Sequence, residues 1–582
     1  MMKNSVSYQS EKASFKDYIG IFKGIRMPWL FILLVFAMSV VMALAAMSIS
    51  VFTGDMVDAQ GNVPTAQLVS FAVSYSIMGV CIAGSSIFEG IASERINLGL
   101  RKKLWRKVIY TKQSCYDADG GETLVSRVTT DCDFASQLVT SIVSFLSGSL
   151  SSAMMIGTMY ALNGTIANYM MLLIPFSILV GWGYARLRFL IAQKTQAMLS
   201  QSTTYLAERT SNLPLVKTSN AQELEVRQGR EKFQEQYKMQ IKTGLMSAFY
   251  TALQTVYNII SILIPFTVGA GLVSAGVMSA GEVVAFYAIS GSVGTFFTNV
   301  INMVGTIRQA NGALARVINA MKLPDEQVDQ GRTLDEPDAD ITFADVEFSY
   351  GEKPVLRRVS CQIPKHKVTA VIGSNGSGKS TMFKLIERLY DPQKGTVRFG
   401  STDAGEYSLT AWRKAFGVVA QGSPLMEGTI RENICYGCER PVSQEELEKI
   451  AKQSRVYDFV SKLPDGFDTM VTSGGQNFSG GQRQCIAIAR AMMCAPDYLL
   501  LDEATSNLDA RSERAVMEAL DELMRDRTTV IIAHSLSAIR KADHVIVLRD
   551  GEVEASGSPK QIMEASGNYL AKVMDRKRPE MA

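Results

Sequence analysis

Val368–Thr381 reads VTAVIGSNGSGKST. An apolar run, Val368-Thr369-Ala370-Val371-Ile372, delivers the chain into Gly373–Ser380, a G-x-x-x-x-G-K-[ST] loop. The spacing predicts a strand, a tight turn and a helix, the start of an α/β P-loop NTPase domain. The backbone N–H groups of Gly373, Ser374, Asn375, Gly376, Ser377 and Gly378 can point at one spot because glycine lets the backbone crowd around oxygens. Lys379 adds a mobile positive charge for β- and γ-phosphates, and the Ser380 hydroxyl is placed to ligate Mg²⁺. The helix opening at Lys379-Ser380-Thr381 aims the positive end of its dipole at the same place.

Strand-helix-strand patterning surrounds this loop over about residues 341–570. Tyr498-Leu499-Leu500-Leu501 is a buried-strand run that ends in Asp502-Glu503. Ligand sites in parallel sheets lie beyond the carboxyl ends of the strands, so this end belongs beside the phosphate loop. There Asp502 would hold Mg²⁺, directly or through water, and Glu503 would polarise a water attacking a γ-phosphate. Phe478-Ser479-Gly480-Gly481-Gln482 follows the Gly-rich Ser473–Asn477 and opens another helix. Its N–H groups, the Ser479 hydroxyl and the helix N-terminus form a second anion cradle, although taken alone these residues also suit a plain loop.

The 582 residues exceed what one domain usually holds. A net charge of +3 is too balanced to point to nucleic acid. Charge is distributed very unevenly. No Asp, Glu, Lys or Arg occurs between Arg26 and Asp55, Asp58 and Glu89, Lys242 and Glu282, or Glu282 and Arg308. A double-length charge-free stretch from Asp133 to Arg186 is broken in its middle by Asn163-Gly164. Each window covers the roughly 20 apolar residues that a spanning helix needs, and the long one covers two. The expectation is a six-helix α-helical transmembrane domain, which excludes a soluble protein. Lys23 and Arg26 before an apolar stretch ending in Ala43-Leu44-Ala45 imitate a secretory signal, but the apolar run continues to Val51. The first helix is expected to stay.

The chain then divides into a cytoplasmic lead-in (residues 1–26), a transmembrane domain (27–322), an acidic, turn-prone linker (323–340), the α/β domain (341–570) and a tail (571–582) containing Arg576-Lys577-Arg578. Thr53–Gln67, Asn163–Thr165 and Ser274–Glu282 contain no Lys or Arg, whereas the alternate loops are rich in them. The positive-inside rule places both termini, the long loops and the α/β domain in the cytoplasm. The long loops keep helical periodicity, as over Tyr205–Tyr237, so the helices are expected to project beyond the membrane. Eight cysteines lack framework spacing, and Cys435-x-x-Cys438 has no second pair or histidine cluster to build a zinc site.

Within the spans, Tyr250, Gln254, Tyr257, Asn258 and Ser261 share one helical face, as do Thr295, Asn299, Asn302 and Thr306. Such stripes should face the bundle interior, where they either hydrogen-bond between helices or line a cavity for an uncharged or amphipathic solute. Glu89 is the lone acid of the second span and is suited to attract a cationic substrate.

Tyr350, Gly373–Ser380, Gln421, Phe478–Gln482, Asp502-Glu503, Ser506–Asp509 and His534 stand in the order and spacing of ATP-binding cassette transporters. The front half resembles the exporters of that family, with Tyr116–Asp131 and Leu215–Glu223 similar to their two cytoplasmic loops. The resemblance covers about residues 15–570. It implies that Tyr350 stacks on adenine and that Gln421 senses Mg²⁺ and the attacking water while linking the site to the membrane loops. It also implies that Ser479, Gly480, Gly481 and Gln482 grip the γ-phosphate of ATP held by another subunit's Lys379. Asp509 would fix that interface and His534 would hydrogen-bond the γ-phosphate. His366 and His544 receive no role. Phe478 replaces the usual leucine, and Thr472-Ser473-Gly474 lacks a carboxylate that commonly touches the opposing membrane loop.

The resemblance implies an ATP hydrolase, with ATP and Mg²⁺, that moves a hydrophobic or amphipathic solute (drug, lipid or peptide) across the cell membrane as a homodimer or with a related half-transporter. The alternatives are import of a metal-chelate siderophore on the same fold and an ATP-gated sensor or channel. A lead-in this short is not expected to house a cargo-trimming protease.

Overall fold

The computed structural model describes residues 15–59, 63–119, 121–334, 338–502, 510–533, 539 and 541–564. The chain forms two compact units. One is helical and holds the described residues up to Ile109 and again over Gly121–Lys322; the other holds those of Tyr110–Gly120 and from Leu323 onward.

The charge-free runs become long helices because a chain that leaves water must satisfy its backbone within each segment. In order these are α1 (Phe15–Phe22), α2 (Trp29–Asp58), α3 (Thr65–Ile109), α4 (Gln113–Asp119), α5 (Gly121–Ser126), α6 (Cys132–Leu162), α7 (Gly164–Met171), α8 (Leu173–Ser211), α9 (Leu213–Thr218), α10 (Gln222–Ser274) and α11 (Ala280–Lys322). A five-residue π turn, Arg127–Asp131, separates α5 from α6. Asn163 breaks the long charge-free stretch by capping α7, its Oδ1 accepting from Thr165 N at 2.9 Å and Ile166 N at 3.2 Å. Leu30 and Val80 are 66% and 68% exposed, an inversion of the usual rule that suits a lipid surround. Among the described residues five stretches are long and apolar enough to span a bilayer: Trp29–Asp58, Thr65–Ile109, Leu124–Leu162, Gly164–Tyr184 and Gln222–Ser274. The sixth expected span falls in the 43-residue α11, which is not one of these five.

α2 and α11 cross at two glycines. A methyl group on Gly281 would fall 2.1 Å from the carbonyl oxygen of Gly54, so no other residue fits without separating the helices. Asp58 caps the start of α11, accepting from Gly281 N at 2.7 Å and from the Ser279 hydroxyl at 2.5 Å. Ser279 and Glu282 complete a reciprocal capping box. Further along, the buried Ser50 hydroxyl donates to Ala285 O at 2.6 Å. At the other end of the unit, charge does the joining. Asp133 accepts from Asn97 Nδ2 and Arg101 Nη2, both at 2.7 Å, while Arg316 of α11 pairs with Asp131 in the π turn.

The second unit is α/β. Its strands are β1 (Ile341–Tyr350), β2 (Lys353–Ile363), β3 (Val368–Gly373), β4 (Lys394–Phe399), β5 (Thr402–Asp403), β6 (Phe416–Val419), β7 (Gly428–Thr429), β8 (Met470–Val471), β9 (Tyr498–Asp502), β10 (Thr528–Ile532), β11 (His544–Arg549) and β12 (Glu552–Gly557). A six-stranded sheet runs β12-β11-β3-β10-β9-β6, parallel from β11 to β6, and an antiparallel sheet runs β2-β1-β4-β5. The central strands are mostly apolar because both faces are covered, with Thr369, Thr528 and Thr529 as their buried polar side chains. Leu500 packs toward the antiparallel sheet with Val371, Val530 and Phe343, whereas its neighbours Leu499 and Leu501 pack on the opposite face with Ile486 and Leu520.

The acidic segment after Leu323 is exposed along most of its length but firmly held. Glu326 takes two hydrogen bonds from Arg413, at 2.7 and 2.9 Å, and its N–H donates to Tyr110 O at 2.7 Å.

Candidate nucleotide site

The site is built where four parallel strands end. β3 ends at Gly373, and the register sets Asp502 of β9 opposite Ile532 of β10, itself opposite Val371 of β3. Val419, two residues before Gln421, pairs with Leu501. The Gly373 loop, Asp502 and the Gln421 loop therefore leave one edge of one sheet, as expected for a ligand at the carboxyl ends of strands.

α12 (Lys379–Ile386) buries Met382, Phe383, Leu385 and Ile386 in the core, which fixes where its first turn points. Gly378 enters that helix at φ +105°, a value side chains resist. Lys379 is 6% exposed and donates from Nζ to Gly373 O at 3.0 Å and Ser374 O at 2.9 Å. The buried Ser377 Oγ has no hydrogen-bond partner. Ser374, Asn375, Gly376 and Ser380 face outward. A buried ammonium, an orphaned hydroxyl and exposed loop N–H groups fit a polyphosphate. The Ser380 hydroxyl and the Asp502 carboxylate are hard oxygen donors that fit Mg²⁺.

Tyr350 ends β1 beside this loop and accepts at its OH from the Thr381 hydroxyl at 3.5 Å. It belongs to an edge-on aromatic trio with Phe348 at 5.0 Å and Tyr390 at 5.4 Å between centroids. Lys384 Nζ lies 5.3 Å from the Tyr350 ring centre. The Tyr390 hydroxyl donates to the carboxylate of Asp117 on α4. Burial first, and then that hydrogen bond, pushes the Tyr390 phenol well above its ordinary range. Asp117 falls in the Tyr116–Asp131 segment that resembles an exporter loop, but Tyr390 stands in no motif and nothing in the sequence pairs the two. Glu387, at the end of α12, is pushed up to about 7 by burial and then by the charge of Asp502.

Ser479 caps a different helix, α13 (Gly480–Met493). Its Ser479 Oγ accepts from Gln482 N at 3.3 Å, and Gln482 Oε1 accepts from Ser479 N at 2.8 Å, so the motif is a capping box whose serine faces outward. Phe478, which stands in place of the usual leucine, is buried. At the other end of the same helix Arg490 donates to Asn433 O, Asn433 Oδ1 and Pro424 O, at 2.8, 2.9 and 3.1 Å. One helix thus carries the serine cradle and grips the loop that follows Gln421. Gln421 itself is exposed. Glu503, Ser506, Asp509 and His534 lie outside the described residues.

In the helical unit the polar stripes divide. Tyr257 and Ser261 are buried and Tyr257 packs on Gly294, whereas Asn258 and Thr295 are exposed. Tyr250 stacks on Tyr184 at 3.9 Å, Gln254 and Thr306 are half-buried, and Asn299 reaches Gly148. The side chain of Asn302 lies outside the described set. Glu89 accepts from the Ser144 hydroxyl at 2.5 Å.

Residues 29–298 match the family model for the ABC transporter transmembrane region, and residues 356–506 match that for the ABC transporter. A relative from Desulfotalea psychrophila, an ATP-dependent lipid A-core flippase, is 31% identical over 77% of this chain and 78% of its own length. The chain belongs to the ABC transporters. A multidrug resistance ABC transporter ATP-binding and permease protein of Lactococcus lactis subsp. lactis is 28% identical over 97% of this chain and 96% of its own. This ABC transporter is of the exporter, half-transporter type, with one transmembrane region and one cassette on a multi-pass membrane chain, and it couples ATP hydrolysis to transport.

Proposed function

We propose that two copies of this chain form an exporter of hydrophobic or amphipathic solutes, working by alternating access across the cell membrane with termini and cassettes in the cytoplasm. α11 serves as the sixth span. The relatives named for multidrug resistance and for lipid A-core flipping support cargo of this kind. The observation that carries the reading is the split of the phosphate-binding groups. Lys379 and Asp502 share one sheet edge, while Ser479 presents an outward cradle on a separate helix.

In the dimer, Tyr350 stacks on adenine, and Gly373–Thr381 wraps the phosphates with Lys379 as their cation. Ser479, Gly480, Gly481 and Gln482 of the partner subunit complete the γ-phosphate site, with Asp509 fixing the contact. Ser380, Asp502 and Gln421 would hold Mg²⁺, which would supply neutralisation of phosphate charge. Glu503 takes a proton from the attacking water, and His534 donates a hydrogen bond to the γ-phosphate. ATP favours the closed pair of cassettes by its higher affinity for that state, and hydrolysis resets it. Tyr250, Gln254, Tyr257, Asn258, Thr295, Asn299, Asn302 and Glu89 contribute to the solute path.

Inside-out vesicles holding only this chain should accumulate a fluorescent amphipathic dye with Mg-ATP and not with ADP, and Lys379→Ala should abolish the uptake. ATPase without uptake would favour a sensor or channel; neither activity from the chain alone would require a second, different half.

A further inference from the structure

We propose that Lys384 is a positioning residue for the purine of ATP, its ammonium backing the Tyr350 ring on which the base stacks. This rests on the reading above that Tyr350 meets adenine. Lys384 stands one turn along α12 from Ser380 and Thr381, on the same side of the helix. Tyr350 lies along that side. Its OH accepts from the Thr381 hydroxyl at 3.5 Å, and Lys384 Nζ lies 5.3 Å from its ring centre. The same ammonium is 5.7 Å from the centre of the Tyr390 ring, so it sits in a corner between two tyrosines. The corner is fixed from behind. Tyr390 is buried and donates to Asp117, and Phe348 meets the two tyrosine rings edge-on at 5.0 and 5.4 Å.

Lys384 is half-buried, and among the described residues no carboxylate forms an ion pair with it; it meets two aromatic rings instead. The negative face of a ring can hold such a cation. The ammonium draws the ring's electrons toward itself, and the electron-poor ring then stacks better on an electron-rich purine. The Tyr350 ring has room for that base. Phe348 and Tyr390 both meet it at 87°, so neither lies flat on it, and Tyr350 is half-buried where both of them are buried. One side of α12 thus presents the exposed Ser380 to the phosphates and Lys384, through its tyrosine, to the base.

The test measures ATP hydrolysis by the full chain in phosphatidylcholine vesicles, with tripolyphosphate as a competitor that has phosphates and no base. Lys384→Met keeps the apolar stem and removes the charge. It should raise KM for ATP roughly fivefold, within the range of a single cation–π contact, while kcat and the inhibition constant of tripolyphosphate stay where they were. Lys384→Arg should restore KM. In a Tyr350→Leu background, Lys384→Met should add nothing. An unchanged KM in Lys384→Met would overturn the assignment, as would a loss shared by tripolyphosphate, which would make Lys384 a phosphate contact. Tyr350→Leu separates the two readings. An unchanged KM in that variant removes stacking and this inference with it, whereas a raised KM there beside a normal Lys384→Met removes Lys384 alone.

Discussion

Arg316 holds Asp131 with two parallel hydrogen bonds, Nε to Oδ2 at 2.9 Å and Nη2 to Oδ1 at 2.6 Å. The two residues are 185 positions apart, and Asp131 is 3% exposed. The pair fastens α11 to a π turn, a rare geometry that needs outside support to persist. Removing the arginine strands a buried carboxylate. Arg316→Met should therefore cost roughly 3 kcal/mol, and Asp131→Asn distinctly less, because the first leaves an uncompensated buried carboxylate and the second only an exposed guanidinium. Thermal unfolding of the detergent-solubilised protein measures both; equal losses would show that the charge is not what matters.

Tyr390 ties the aromatic trio around Tyr350 to α4, and α4 is continuous in the chain with α3. Tyr390→Phe keeps the ring packing and deletes the hydrogen bond to Asp117, worth about 1 kcal/mol. ATP affinity should hold, while stimulation of ATPase by transported solute should fall several-fold. Asp117→Asn retains an acceptor and should be milder. A change in ATP affinity with normal stimulation would place the pair in nucleotide binding.

Glu387 should give the cassette a pH signature. Burial and Asp502 raise its carboxyl from an ordinary 4.5 to about 7. The folded protein keeps a proton that the unfolded chain releases, so this group's contribution is full below pH 4.5 and is lost as pH rises to about 7. In magnesium-free buffer stability should fall across that window by on the order of 1–3 kcal/mol and level off above it. Glu387→Gln should flatten the slope. An unchanged slope would assign it elsewhere.

Glu503→Gln should lower ATP turnover by about 10²-fold or more while ATP still binds, because a general base acts in the chemical step. Lys379→Ala should instead weaken binding. Near-normal ATPase in Glu503→Gln would remove Glu503 as the base.

Legibility in the sequence tracks how local each feature is. Gly373–Ser380 and Ser479–Gln482 are readable because their geometry is made within a single turn: a positive φ at Gly378, a capping box at Ser479. The long helices are readable because lipid leaves few residue types for them. Tyr390 with Asp117, Arg490 with Pro424 and Arg316 with Asp131 are not, since each joins distant segments and uses residues that elsewhere are ordinary surface groups. The segment after Leu323 looks loose because acidic, turn-prone composition says nothing of Arg413, which holds it. The stripe on α10 looks uniform by spacing, yet Tyr257 and Asn258 differ in burial because adjacent residues lie about 100° apart on a helix.

The crossing of Gly54 over Gly281 has a mechanical meaning. Two rods pinned where backbone touches backbone cannot slide, so any relative movement would turn them about that point as a fulcrum. From Gly54 back to Trp29 the arm of α2 is roughly 37 Å, and a tilt of about 10° sweeps its far end through about 6 Å. A tilt of that size about two residues without side chains would carry the far end of α2 through a stroke the size of a solute.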